Sequence, residues 1–438
     1  MTRPALAFLV LAACSSPAAK TPEPHVQLAQ RVVIVSIDGM MPDAYLDPDG
    51  HGLRVPTLRA MVANGAAARV RGVMPTVTYP SHTTMVTGVP PAVHGIVNNK
   101  PLDPLGKNFD GWRWYAEDIK VPTIYDAVEA AGGTSATVIW PVTVNAKAEI
   151  DVPEYWRSGS PDDQKLVRAL STPGVLEAVA AEYPTLWSAL VPPDIKDDAQ
   201  LAIARYLLRT AHPDLLLVHM FELDDAQHAH GPWSPEAKAT LEAVDHRLAT
   251  LLADLRASPD WARTTLFVVS DHGFAPITQE LRPNVLFAKH GLLRADAADV
   301  AIIASGGTAF VYVLDKTKAA DVDAAVAELP NVARRIAAPE LATLGADPTA
   351  SFALVAAPGF QFSDKRTGDP VMPTDTRGTH GWPPDDPAMQ ASLIAFGPKV
   401  KHAQLGMRDM TQLAPTVARL LGVPLPTATG TPIDELVR

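Results

Sequence analysis

Along the chain, continuous apolar runs alternate with stretches whose apolar residues recur at helical spacing. RVVIVSID (31–38) is a largely continuous apolar run closed by Asp-Gly, the pattern of a strand buried on both faces, and PTLRAMVANG (56–65) follows as a helix that stops at glycine. The same unit recurs. PTIYDAVEAAGG leads into TSATVIWP (122–141), a helix over 197–211 leads into PDLLLVHM (213–220), and a helix over 234–257 leads into TTLFVVSD (264–271). Strands alternating with helices predict an α/β fold, a mostly parallel central sheet with helices on both faces, whose functional residues gather at the carboxyl ends of strands. Asp38, Asp224 and Asp271 fall at or just beyond such ends.

Two stretches break the alternation. Residues 142–196 carry WRSGSPDD and two short helical patterns, and 275–377 hold the strand-like AFVYVLD and SFALVAA. Both read as insertions, the second as a small α+β subdomain lying over the site. ASLIAFGP (391–398) returns to the core as a strand, and DMTQLAPTVARLLGVPLP (409–426) closes the chain as a helix with a Gly-Val-Pro stop. The catalytic domain is thus expected over 31–438.

The N-terminus is of a different kind. A single early charge, Arg3, precedes the short apolar run Ala5–Ala13, too short to span a bilayer and suited to a secretory signal. It ends in LAAC, which resembles the lipobox of bacterial lipoproteins. Residues 1–14 are therefore read as a signal peptide ending at the lipidated Cys14, and 15–30 as a flexible tether. The expected place is the periplasm or cell surface, anchored in a membrane by lipid. Cys14 is the only cysteine, so no intrachain disulfide can form. A formal charge of −11 without any run of Lys and Arg gives no electrostatic support for coating nucleic acid, so a negative substrate needs local compensation such as metal ions.

Residues 74–99, MPTVTYPSHTTMVTGVPPAVHGIVNN, carry the candidate nucleophile. Pro80 suits the first position of a helix running to Gly88, which places Thr78 just before a helix N-terminus, where free N–H groups and the dipole favour an anion. Four other short pieces bear ligand-type residues: SIDG with Asp38, FELDDAQHAHGP with Asp224 and His228, VVSDHGF with Asp271 and His272, and GTHGW with His380. Asp224 and His228 are four residues apart and share one face of a helical turn. Mixed imidazole and carboxylate sets suit Zn²⁺, whereas all-oxygen sets suit Mg²⁺ or Ca²⁺.

These pieces, in this order over about 31–426, resemble the nucleotide pyrophosphatase/phosphodiesterase family of the alkaline phosphatase superfamily: TYPSHTTMVTG, HGIVNN, Trp140-Pro141, DxxxHxxGP, SDHG and THGW. The resemblance implies an alkaline phosphatase-like fold and two zinc ions, one on Asp224, His228 and His380, the other on Asp38, Asp271 and His272 with Thr78 bound to it. It implies a phospho-threonine intermediate on Thr78, and Asn99 as the donor to a phosphoryl oxygen. Ser81 and Tyr79 depart from the family's usual Asn and Phe. His82, His94 and His230 are read as scaffold, and Asp225 as a poorer ligand than Asp224 by its spacing to His228.

The substrate expectation is a phosphate diester or pyrophosphate: a small molecule, nucleotide or lipid head group rather than a nucleic acid polymer. Some monoesterases of the superfamily place a Lys-x-Arg pair just before Trp140-Pro141; at Thr134 and Ala136 this chain has no charge. Trp112, Trp114, Tyr115, Tyr155 and Trp156 are candidates to stack on a base or line a lipid pocket. The alternatives are a zinc-dependent alkaline phosphatase, a phosphonate hydrolase, or a binding-only lipoprotein.

Overall fold

The computed structural model describes residues 26–108 and 111–436; the segment read as a signal peptide, Cys14, and the expected tether up to residue 25 lie outside the described residues. Within the stretch read as tether, the Val26 N–H donates to Gly132 O and the Leu28 N–H to Asp214 Oδ1, so residues 26–30 run along the domain.

The main sheet contains β1 (Arg31–Ile37), β2 (Ala66–Arg71), β3 (Ser135–Val138), β4 (Ile150–Val152), β5 (Leu215–Met220), β6 (Thr264–Val269), β7 (Ala391–Phe396) and the two-residue strands β8 (Ala403–Gln404) and β9 (Arg408–Asp409). Their spatial order is β8-β2-β7-β6-β1-β5-β3-β4, with β9 also paired to β2. β1 lies at the centre, parallel to both β5 and β6, and all seven of its residues are buried. Only β7 runs against its neighbours. It follows the long excursion through residues 275–390 and enters the sheet from the opposite end.

Alternation along β1 explains why an unbroken apolar run was needed. Val33, Val35 and Ile37 face one core, with α1 (Pro56–Asn64), α4 (Asp197–Thr210) and α6 (Pro235–Ala257), while Val32 and Ile34 face a second core, with α2 (Thr78–Thr87), α3 (Ile124–Ala130) and α7 (Leu413–Leu421). The polar residue that opens the strand, Arg31, is fully buried and is held by Asp260 at 2.6 Å. The closing helix is shorter than its pattern suggested. Asp409 and Gln412 form a reciprocal cap on the preceding 3₁₀ turn, and Gly422 ends the helix in the left-handed conformation.

Between β6 and β7 stand two small sheets. One is antiparallel, in the order Val332–Ala337, Phe352–Ala356, Thr308–Val313, Val300–Ser305; the other joins Gly359–Phe362, Ala275–Leu281 and Val371–Pro373, with Gly378–Thr379 also paired to Ala275–Leu281. The first sheet buries Ile303, Phe310 and Val355 against Met74 and Trp382, which flank the candidate nucleophile and His380. Its Gly306-Gly307 turn presses on that segment: a Cβ on Gly306 would lie 2.1 Å from His380 O, and Gly307 N–H donates to the same oxygen at 2.8 Å.

One buried carboxyl in the sheet gives a pH signature independent of the site. Asp151 on β4 accepts a hydrogen bond from Thr137 Oγ1, and burial pushes its carboxyl from the ordinary 3.8 to about 7. The folded chain then holds this proton to higher pH than the unfolded chain. Its contribution to stability is complete below about pH 4 and is lost as pH rises through about 7. Asp151→Asn keeps the acceptor and removes the titration, so the Tm of the variant relative to the parent should rise between pH 5 and pH 8; a difference that stays flat across that range would show that Asp151 is not held protonated.

Candidate active site

β1, β5 and β6 deliver their carboxyl ends to one crevice. Asp38 follows β1 directly, and Asp271 and His272 follow β6 by two and three residues. Asp224 and His228 lie on one face of α5 (Glu222–His230), which starts two residues after β5. His380 follows Gly378–Thr379, the short strand that pairs with Ala275–Leu281. The six side chains fall into two groups, Asp224 with His228 and His380, and Asp38 with Asp271 and His272; within each, the ligand atoms lie within 4.8 Å of one another. The two groups touch, because the rings of His272 and His380 stack at 3.6 Å.

All three imidazoles spend Nδ1 on a backbone carbonyl: His228 on Gly378 O at 2.8 Å, His272 on Gly273 O at 3.1 Å and His380 on Thr76 O at 3.0 Å. A carbonyl only accepts, so Nδ1 carries the hydrogen in each ring and Nε2 presents a lone pair. Those lone pairs face carboxylate oxygens: His228 Nε2 is 3.3 Å from Asp224 Oδ2, and His272 Nε2 is 3.3 Å from Asp38 Oδ1 and 3.1 Å from Asp271 Oδ2. Acceptor faces acceptor. Asp38 Oδ1, Asp224 Oδ1, Asp271 Oδ2 and His272 Nε2 are buried without a hydrogen-bond partner. Burial and the neighbouring carboxylates Asp271 and Asp224 drive the Asp38 carboxyl well above the usual range, and burial pushes Asp224 up to about 7. Burial also keeps His272 and His380 neutral, well below the usual imidazole value. Cations between these atoms would offset these penalties, and three nitrogens with three carboxylates are a donor set suited to zinc. Asp225, the alternative to Asp224, is exposed and belongs to neither group.

The candidate nucleophile stands at the start of α2. The helix begins at Thr78 itself, with Val77 as its cap residue, two residues earlier than Pro80 predicted. The reason lies twenty-one residues along the chain in Asn99. Its Oδ1 accepts the Tyr79 N–H at 2.9 Å, a bond that a capping side chain would normally supply. Pro80 has no N–H to satisfy, and the Ser81 N–H reaches Val77 O. Thr78 N–H is therefore the helix-start donor left for an anion among the described residues. Because Asn99 Oδ1 is taken, its NH₂ group is the end of the amide left to donate. Ser305 of the small sheet steadies this segment through a 2.7 Å bond from Asn98 Nδ2.

The neighbouring histidines have other tasks. His82 bonds Thr78 O and Ser36 Oγ, His94 bonds Thr84 Oγ1 and the Ile96 N–H, and His230 is exposed. Thr134 and Ala136 do not reach the site. Thr134 bonds Asp214 at the amino end of β3 and Ala136 is buried in the strand. The residues at the carboxyl end of β3 are Ile139, Trp140 and Pro141, which are uncharged as well. The absence of an extra cation therefore stands on those three positions.

The aromatic residues, scattered in sequence, form one cluster next to Thr78. Tyr79 meets Trp112 at 5.2 Å, Trp112 meets Trp156 at 5.1 Å, and Trp114 meets Tyr155 at 4.7 Å; Tyr115 edges Tyr155. Trp114 and Tyr155 are buried, while Trp112 and Trp156 keep partly open faces. Two buried groups beside the site were not singled out from the sequence, Glu154 and His219. For His219 a signal existed, since it interrupts the apolar run of β5.

Residues 32–383 match the model of the type I phosphodiesterase/nucleotide pyrophosphatase family. The chain belongs to this family. Among curated relatives, human ectonucleotide pyrophosphatase/phosphodiesterase family member 5 is 26% identical over 257 residues, covering 57% of this chain and 46% of the relative. Rat family member 1 is 27% identical over 253 residues, 55% of this chain and 24% of the relative. The chain thus spans about half or less of the length of these curated relatives. Among solved structures, human ectonucleotide pyrophosphatase/phosphodiesterase 5 superposes with a TM-score of 0.66 at 20% identity, covering 92% of this chain and 97% of that one. The murine protein, solved as an inactive threonine-to-alanine variant in complex with AMP, gives 0.64 at 22% identity with coverage of 92% and 97%. The fold shared with these neighbours is the α/β sheet described above.

The protonation of the two groups leads to a calorimetry-free prediction. A ligand must lose its proton to bind a metal, and burial raises the Asp224 carboxyl to about 7, so more of it carries a proton at pH 6 than at pH 8. Zinc added to metal-free protein in weak buffer should release more protons per ion at pH 6 than at pH 8, read with a pH indicator. Equal release at both would mean that Asp224 is already ionised before metal arrives.

Proposed function

We propose that this chain is a metal-dependent hydrolase of phosphate diesters or pyrophosphates, with two zinc ions and Thr78 as nucleophile. The observation that carries the reading is the pair of three-residue groups whose unpartnered acceptor atoms face one another beside a threonine at a helix start. One zinc would be held by Asp224, His228 and His380, the other by Asp38, Asp271 and His272. When bound, such a pair supplies charge neutralisation at the attacking and leaving oxygens and lowers the pKa of a coordinated hydroxyl or water.

The protein's own groups do the rest. Thr78 Oγ attacks phosphorus, forming an Oγ–P bond while the bond to the leaving oxygen breaks and that oxygen departs with the electron pair. Water then attacks the same phosphorus, freeing Thr78 and releasing a phosphate monoester. The Thr78 N–H and the Asn99 amide NH₂ donate to the non-bridging oxygens, with the positive end of the α2 dipole behind them. The inactivity of the murine neighbour's threonine-to-alanine variant supports this role for Thr78. Its AMP, together with the half-open faces of Trp112 and Trp156, supports a nucleotide or similarly flat group as the substrate's recognition handle. No added cation stands at Ile139, Trp140 and Pro141, which favours a diester over the more highly charged monoester. We further infer that the chain is a lipoprotein of the periplasm or cell surface, anchored at Cys14; Cys14→Ala should move it from the membrane to the soluble fraction with its turnover intact.

The test is a side-by-side assay of bis(p-nitrophenyl) phosphate and p-nitrophenyl phosphate on zinc-loaded protein. Hydrolysis should favour the diester, fall by about 10³-fold or more in Thr78→Ala at nearly unchanged zinc content, and vanish with a chelator. Monoester preference would move the chain to the phosphatase reading, and turnover retained in Thr78→Ala would remove the covalent step.

A further inference from the structure

His219 is the fifth residue of β5, on the same strand face as Leu215 and Leu217, which pack into an apolar core. A third aliphatic residue would be the default there. Instead an imidazole is buried, with only 2% of its side chain exposed. Burying a polar ring has a cost that specific partners must offset.

Those partners surround the ring. Nε2 lies 3.1 Å from Asp38 Oδ2, Nδ1 lies 3.3 Å from Ile139 O, and Glu154 Oε2 stands 3.9 Å from Nδ1 on that same side. The His82 ring closes a further side at 4.4 Å. Ile139 is a β-branched residue with φ of 53°, a conformation such residues rarely adopt, and its N–H is anchored on Val152 O at 2.6 Å. A strained residue is therefore fixed on both sides with its carbonyl against His219. With a metal on Oδ1, Asp38 would be ionised and a stronger acceptor than the Ile139 carbonyl, so the neutral ring would then carry its hydrogen on Nε2 and donate to Oδ2.

The two oxygens of Asp38 are then divided. Oδ2 receives His219, while Oδ1 has no hydrogen-bond partner and sits 3.3 Å from His272 Nε2, inside the group with Asp271. Asp38 lies one residue beyond the end of β1, outside the ladder, and the bond to His219 fixes Oδ2 on the side away from the group. We propose that His219 is a positioning residue for Asp38: by holding Oδ2 from behind, it presents Oδ1 to the metal site shared with Asp271 and His272. This inference rests on the reading of Asp38 as a metal ligand.

The experiment is a chelator-competition titration of zinc on the metal-free full-length chain, comparing the parent with His219→Leu and His219→Gln, and with thermal unfolding of each metal-free form as the check on folding. Leu restores the apolar pattern of β5 and removes the donor; Gln places an N–H near the position of Nε2. His219→Leu should weaken one of two zinc-binding steps by about 10- to 100-fold and leave the other unchanged, with His219→Gln recovering most of the loss. A Leu variant that keeps both steps at parental affinity overturns the positioning role alone. A parent that shows no zinc-binding step overturns the metal reading and this inference with it. Should the Leu variant lose cooperative unfolding, His219→Asn, whose amide reaches toward Ile139 rather than Asp38, takes its place, and equal affinity of the Asn and Gln variants overturns the proposal.

Discussion

Three carboxylates and three imidazole lone pairs, buried or half-buried, meet with no Lys or Arg paired to them among the described residues, and much of the surrounding structure is explained by what holds them there. In low dielectric, like charges at such distances repel strongly, and an unpartnered buried acceptor costs more than a made hydrogen bond returns. A fold that relaxed freely would turn these side chains apart. It is prevented by backbone carbonyls: Gly378 O, Gly273 O and Thr76 O each hold one Nδ1, and two of these belong to segments fixed by the small sheets. The region between β6 and β7 therefore does more than cover the site. Through Gly378–Thr379 and the Gly306-Gly307 turn it positions His228 and His380, so the excursion and one of the two ligand groups are a single construction.

The same logic governs the helix start. A helix that opens on Thr78 has to satisfy its first N–H groups without a capping side chain of its own, and it does so by importing Asn99 for Tyr79 and by using Pro80, which has none. One donor remains, at the residue whose hydroxyl is closest to it in the chain. The free helix-start donor and the candidate nucleophile thus fall on the same residue, and the amide that completes the helix start has only its NH₂ end left to donate.

Much of the fold was legible because the central strands are buried on both faces and so read as largely apolar runs: β1, β5 and β6 each do, with His219 the break in β5. The candidate ligand residues, which the structure brings into two groups, were legible for a related reason, since polar residues placed at the ends of such runs stand out against them. What was missed depended on partners distant in sequence. The true start of α2 was hidden because its cap lies at Asn99, and Pro80 suggested a more local answer. Thr134 and Ala136 were misplaced because register within a short strand is not visible one chain at a time; a shift along β3 brings Ile139 to Pro141 to the site end instead. The aromatic cluster could be counted in the sequence but not assembled, since Tyr79, Trp112 and Trp156 meet only after three separate loops close.

His219 shows how a buried strand can carry chemistry without breaking the sheet. Its backbone keeps the ladder to β1, with Ser36 opposite, and only the side chain departs from the apolar pattern. The adjustment falls on Ile139, at the end of the neighbouring strand, whose strained backbone brings a carbonyl to the ring. Placing the strain on β3 rather than on β1 or β5 leaves the two strands that deliver Asp38 and Asp224 regular, and regular strands hold their ends to a fixed register.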